Sequence, residues 1–221
     1  MPPAPATFEQ WLDETFGRAV AGDDYPQFVH REVEEWPDPV PDAAAVEYLT
    51  RLFEQSEDSL RYFSDRQIAA GLWELGPGDA HCVYNREIPF EARERLVGSV
   101  ATFFREFFDK RCSPELSSAA SHHVSPLNTI CYMWCEVITW GWAKDDPDGE
   151  RLRAIDLDVM EEVLRLPNPA CRESALHGLG HMVRHSGRAG EIVDRFLADP
   201  PAGATPELLD YARAARSGCI Q

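Results

Sequence analysis

Apolar residues in this chain recur three and four positions apart, and convincing alternation is absent, so the pattern predicts helices almost throughout. Phe8, Trp11, Leu12, Phe16 and Val20 make the first such face. Thr7 opens it with Gln10 three residues on, the spacing of a capping box, and Gly22-Asp23-Asp24 closes it. A short acidic helix is expected over 25–36. The run Trp36-Pro37-Asp38-Pro39-Val40-Pro41 then predicts an extended linker, because proline lacks an N–H and turns the residue before it away from helix. Asp42 is the expected cap of a helix with Val46, Leu49, Leu52 and Phe53 inward, and Ser56 that of a short successor. Ser64 and Gln67 form a second capping box ahead of Ile68, Leu72 and Trp73, and Gly76-Pro77-Gly78 ends that helix. Residues 79–88 carry no period and read as a loop.

Pro89 suits a first helical turn, and a long amphipathic helix follows to Arg111 with Leu96, Val97, Val100, Phe104, Phe107 and Phe108 inward. Residues 112–125 are a polar loop. Residues 126–143 are apolar nearly all round with Glu136 as their single charge, which predicts a buried central helix. A turn at Asp145-Asp146-Pro147-Asp148-Gly149 leads to a helix over 150–166, with Leu152, Ile155, Val159, Met160, Val163 and Leu164 inward. Asn168-Pro169 joins a capping residue to proline at the first helical position, and that helix is expected to reach Ser186 and end in a turn at Gly187 and Gly190. A short helix over 191–199 stops at Pro200-Pro201, and the last runs from Thr205-Pro206 to Gly218. The expected fold is therefore all-α: an irregular array of antiparallel helix pairs, built either as a HEAT-like solenoid or as a compact helical bundle. Residues 1–41 are read as an acidic helical arm with its linker, and 42–221 as a single helical domain.

Charge narrows the function classes. The 221 residues carry a net charge of −17, which repels DNA, RNA and anionic lipid and sets the expectation of no nucleic acid and no membrane. The first sixty residues hold fourteen acids against three bases, so the negative surface gathers at one end of the chain. No basic and apolar leader and no span of about 20 apolar residues is present, so a cytoplasmic setting is expected. The six cysteines are then expected as free thiols, most of them core residues.

Residues 62–76 (YFSDRQIAAGLWELG), 127–136 (LNTICYMWCE) and 168–181 (NPACRESALHGLGH), with the closing PELLDYARAARSG, resemble a family of uncharacterised bacterial α-helical proteins. The C-terminal region also resembles HEAT-type repeats, which implies an interaction scaffold. The bacterial family implies no particular activity.

Glu173, His177, His181 and His185 are spaced four apart in one predicted helix. Each step of four turns only about 40° around the axis, so neighbours share a face, whereas the whole set drifts by about 120°. His177 and His181 are therefore the candidate metal pair, for zinc or iron. Glu173, His185, His122, His123, Cys131, Cys135 and Glu136 are possible additional ligands. The opposing reading makes Leu176, Leu179 and Val183 the buried face and leaves the histidines on the solvated side. Glu136, a lone carboxylate in an apolar stretch, is expected to be buried, and so either to pair with an arginine or to carry a raised pKa. Gly178 and Gly180 each cost the helix about 1 kcal/mol against alanine, which close approach by a neighbour would offset. Cys131 and Cys135 lack the CxxC spacing of a redox or zinc motif. No hydrolase, nucleotide-binding or kinase motif is present. The first expectation is thus a non-enzymatic interaction module, of scaffold or immunity type, engaging a protein with a basic surface and needing no cofactor. The alternative is a metal-binding protein or metal-dependent enzyme built on the His177–His181 pair.

Overall fold

The computed structural model describes residues 7–17, 40–76, 78–118, 125–138 and 146–220. Every regular element among them is helical. The expected helix over 25–36, most of the linker after it, and His122 and His123 lie outside the described residues.

Helix α1 (Phe8–Phe16) starts as its capping box dictates: the Thr7 side chain accepts from Gln10 N–H, and the Gln10 side chain accepts from Thr7 N–H. Its face of Phe8, Trp11, Leu12 and Phe16 is buried, and the Trp11 indole N–H donates to Asp79 at 2.6 Å. Helix α2 (Asp42–Glu54) begins without the expected Asp42 cap; the Asp42 carboxylate instead accepts from the Asn85 side chain at 2.7 Å. Ser56 likewise lies inside the short α3 (Ser56–Leu60) and is buried there, with Gln55 at the capping position. Helix α4 (Asp65–Leu75) carries its Ser64–Gln67 box as predicted. The stretch expected to be a loop holds a 3₁₀ turn, Asp79–Tyr84.

Helix α5 (Phe90–Phe103) continues through a π-helical turn (Phe104–Phe108) into α6 (Asp109–Arg111), so the long helix to Arg111 is present, with one widened turn. After it the pattern misled. The predicted central helix over 126–143 is broken within 126–138, and 139–143 lie outside the described residues. α7 (Pro126–Tyr132) ends at Met133, and α8 (Trp134–Val137) is a single turn that Ile138 leaves with φ −114° and ψ 86°. Packing sets this break. The Trp134 ring is wedged among Phe53, Phe103, Phe104 and Phe108 at centroid distances of 5.3–5.7 Å. The Val137 carbonyl passes so close to Gly76 that a Cβ there would strike it.

Helix α9 (Gly149–Val163) is followed by α10 (Pro169–Met182), whose Asn168 side chain accepts from Ala170 N–H. Helix α11 (Gly187–Ala198) begins four residues earlier than predicted, and Gly190 lies within it rather than in a turn. A Cβ on Gly190 would sit 3.2 Å from the Arg216 guanidinium carbon, so the absent side chain lets α12 (Pro206–Ser217) lie close. Gly218 closes α12 with φ 68°.

Helix α10, not 126–143, is the central helix. It is packed by α7, α8, α9, α11 and α12 together. All but one of its residues from Ala170 to Met182 are buried, Glu173 and His177 included. Its small residues, Ala170, Cys171, Ser174, Ala175 and Gly178, let neighbours approach on faces that hydrophobic spacing alone marks as exposed. The expected solvated histidine face is thereby corrected for His177.

Candidate metal centre

Helices α7 and α8 meet α10 along a line of small and sulfur-bearing groups. Ser174 Oγ donates to the Cys131 carbonyl at 2.5 Å, and the Cys135 thiol reaches toward the Ser174 carbonyl at 4.0 Å. A Cβ on Gly178 would collide with Cys135 Sγ and stand 3.0 Å from Met160 Cε. The glycine in α10 therefore permits α8 to close down, and the residue after Cys135 is Glu136. Trp134 anchors the same single turn from the aromatic side, so Glu136 is held from both directions.

The result is a cluster of three side chains around one point. Glu136 Oε1 lies 2.9 Å from His177 Nε2 and 3.1 Å from His181 Nε2, and the two Nε2 atoms are 3.2 Å apart. Behind His177, its Nδ1 is 2.7 Å from the Tyr211 hydroxyl on α12, which is 3.0 Å from the Tyr132 hydroxyl on α7. His177 is wholly buried, whereas Glu136 and His181 are each about two-fifths exposed, at 39% and 42%. Those two line a cavity of about 440 Å³ that also borders on Arg184 and His185.

The protonation states follow from these surroundings. Burial holds His177 below the ordinary histidine value, against the opposing pull of the Glu136 carboxylate. Desolvation alone would raise Glu136, but its bonds to His177 and His181 outweigh that and hold it below the usual carboxylate range. A neutral imidazole beside an ionised carboxylate is the state a metal requires of its ligands. The expectation of a buried Glu136 with an arginine partner or a raised pKa is overturned: its side chain is exposed at the cavity, its partners are histidines and its pKa moves down.

Four ligands about 2.0–2.1 Å from a zinc ion stand roughly 3.3 Å from one another, and cis ligands in an octahedral iron site stand slightly closer. The observed separations of 2.9–3.2 Å need a relaxation of only a few tenths of an ångström to fit either. The Tyr211 hydroxyl fixes the far side of the His177 ring, the role that outer-shell partners play for metal-bound histidines. It accepts from Nδ1–H when Nε2 faces a metal, and donates to Nδ1 when Nε2 carries the proton.

The other predicted ligands do other things. Glu173 is fully buried one turn before His177, but it faces away, accepting from Ser117 N–H at 2.7 Å, Ser118 N–H at 3.0 Å and the Ser118 hydroxyl. Burial raises its pKa in spite of those bonds. His185 lines the cavity rim outside the three-ligand cluster. Cys131 packs against Cys112 and Cys171 in the core, and burial pushes its thiol well up. Tyr211 was not singled out from the sequence; it is 34 residues from His177 and no local signal joins them. No protein-family model, curated protein or solved structure matches this chain.

Proposed function

We propose that this is a metal-binding protein that holds one divalent transition-metal ion, zinc or iron, on Glu136, His177 and His181. The convergence of one carboxylate oxygen and two imidazole nitrogens within 3.2 Å of one another carries this reading. Three protein ligands leave at least one coordination position for water or a substrate, as in catalytic rather than structural zinc sites. Here that position faces the 440 Å³ cavity, since Glu136 and His181 line it while His177 closes the buried side. An ion so held can act as a Lewis acid or lower the pKa of a bound water to about 7.

The test is the metal content of untagged protein after loading with Zn²⁺ or Fe²⁺ and desalting, read by mass spectrometry. About one ion per chain is expected for the native protein, and none for His177→Ala. Native protein that keeps no ion, and whose melting temperature does not respond to chelator, ends the metal reading. The interaction-module reading rests on the helical architecture, the absence of a catalytic motif and an acidic N-terminal segment whose residues 18–39 lie outside the described residues; the three-ligand convergence favours the metal reading over it.

A further inference from the structure

Among the described residues most arginines meet carboxylates or, like the buried Arg172, lie against carbonyls inside the fold, and the helices around the cavity show the pattern. Arg188 pairs with Asp158, Arg195 with Glu161 at 3.0 Å, Arg213 with Asp210 at 2.5 Å and Arg216 with Asp194 at 2.7 Å. Arg184 differs. Among the described residues it faces no carboxylate, and its one hydrogen bond goes from Nη2 to the Gly218 carbonyl at 3.2 Å. A guanidinium has five N–H donors in a fixed fork, so most of its donor capacity remains for something else.

Its position is built. Arg184 lies three residues after His181, a spacing that on a helical chain brings Cβ atoms to about 5–6 Å. Val183 N–H bonds to the Leu179 carbonyl, and both His185 N–H and Ser186 N–H bond to that of Met182, so Arg184 sits in a hydrogen-bonded turn that directly follows α10. Gly218, at φ 68°, lets the arginine lie across the end of α12, since a Cβ there would stand 2.9 Å from Arg184 Nε. On the other side Gly180 makes room for Ile220, whose Cδ1 would be 2.8 Å from a Cβ on residue 180. Arg184 and the two exposed members of the three-ligand cluster thus border one cavity, with an apolar wall at Ile220.

We propose that this cavity binds a small carboxylate-bearing ligand, with one oxygen in the open position on the ion and another accepting from the Arg184 guanidinium. The inference rests on the metal reading of the same site. Charge favours it. A divalent ion, the Glu136 carboxylate and Arg184 together make this recess positive by two, inside a protein of net charge −17. An anion is therefore drawn to this recess and repelled from most of the remaining surface. The planar fork of arginine matches a carboxylate, and a cavity of about 440 Å³ is of small-molecule size.

The experiment uses the full chain loaded with Co²⁺, whose visible absorption reports its ligands. Cobalt content is measured first, then malonate is titrated, with neutral malonamide and inorganic phosphate as parallel probes. Malonate is expected to change the cobalt spectrum saturably without removing the ion, malonamide to leave it unchanged, and Arg184→Gln to weaken malonate binding about tenfold, the effect of losing one charge-assisted hydrogen bond. Protein that retains no cobalt overturns both this inference and the metal reading. Cobalt that is retained but indifferent to malonate overturns this inference alone. So does a response to phosphate only, or an Arg184→Gln protein that binds malonate as tightly as the native one.

Discussion

Arg93 and His177 are both buried side chains on helices, 2% and 0% exposed, and both face carboxylates, yet their surroundings are completed differently. Arg93 on α5 donates to Asp146 at 2.5 Å, to Asp148 at 2.9 Å and to the Val83 carbonyl at 3.3 Å. Asp146 in turn accepts from Asp148 N–H at 2.9 Å. Charge meets opposite charge there, although the buried Arg93 Nε has no acceptor among the described residues. Around His177 three groups able to donate electron pairs point at one spot, with no arginine or lysine among them. The first arrangement is what a fold needs to tie a turn to a helix. The second lacks a cation among its own side chains. Its members are hydrogen-bonded to one another, so what marks it as a functional candidate is the convergence of three ligand-type groups, two of them open to a cavity.

The comparison is broken or sharpened by four substitutions, taken from the largest expected effect to the smallest. Arg93→Leu leaves Asp146 a buried, uncompensated charge and should cost about 3–5 kcal/mol in urea unfolding while leaving metal content at the native level. A parallel loss of metal from a protein that is still folded would show that the two clusters are one unit. Gly178→Ala forces Cys135, and with it α8, away from α10. A stability loss of about 3 kcal/mol is expected, at the upper end for overpacking, and here metal should be lost as well. Retention of a full ion by the folded variant would mean that α8 does not place Glu136.

Asp156 on α9 is a third case, a carboxylate with neither cation nor hydrogen-bond donor among the described residues, and burial pushes its pKa up to about 7. Because the folded value lies above the unfolded one, the folded state is favoured at low pH and loses stability as pH rises from about 4 through 7. Asp156→Asn should remove that loss: the full shift corresponds to about 4 kcal/mol, which the partial exposure of Asp156 reduces to on the order of 2 kcal/mol at pH 8, with little effect near pH 4. Equal gains at both pH values would mean that the charge is not the cause. Tyr211→Phe removes the hydroxyl behind His177 and should weaken metal binding about tenfold, a value within the range for outer-shell partners, and cost the metal-free protein about 1 kcal/mol for the bond lost at the buried His177 Nδ1. An unchanged affinity would leave Tyr211 as packing only.

Much of the fold was legible because helix boundaries are local chemistry. The Thr7 and Ser64 capping boxes, Asn168-Pro169, and Gly218 in its left-handed conformation each act within four residues of themselves. The amphipathic faces of α2 and α5, and that of α1 from Phe8 to Phe16, match the pattern because one side of each meets a core of large residues; α1 stops at Gly17, short of the expected end at Gly22, and Val20 lies outside the described residues. Helix α10 escaped that logic. A helix covered on all sides needs small residues on the faces where other helices press, and Ala, Ser, Cys and Gly give no apolar stripe to detect. The stretch 126–143 misled for the opposite reason, since its many large apolar residues imply one continuous helix that the Trp134 wedge and the Gly76 contact do not allow.

The candidate centre divides along the same boundary. The spacing of His177 and His181 alone determined that the two rings share a face, because four residues on a helix return nearly to the same direction. Its drift also predicted that only two adjacent members of the series could ligate one ion, and Glu173 and His185 fall outside the cluster. The third ligand, the tyrosine behind His177 and the arginine at the cavity were decided by tertiary structure. Glu136 is 41 residues from His177 and arrives only because Gly178 and Trp134 hold one helical turn in place. Tyr211 and Gly218 come from the last helix, which reaches the site by packing across α10. Local chemistry sets what a helix presents, and long-range contacts, which no spacing encodes, set what it meets.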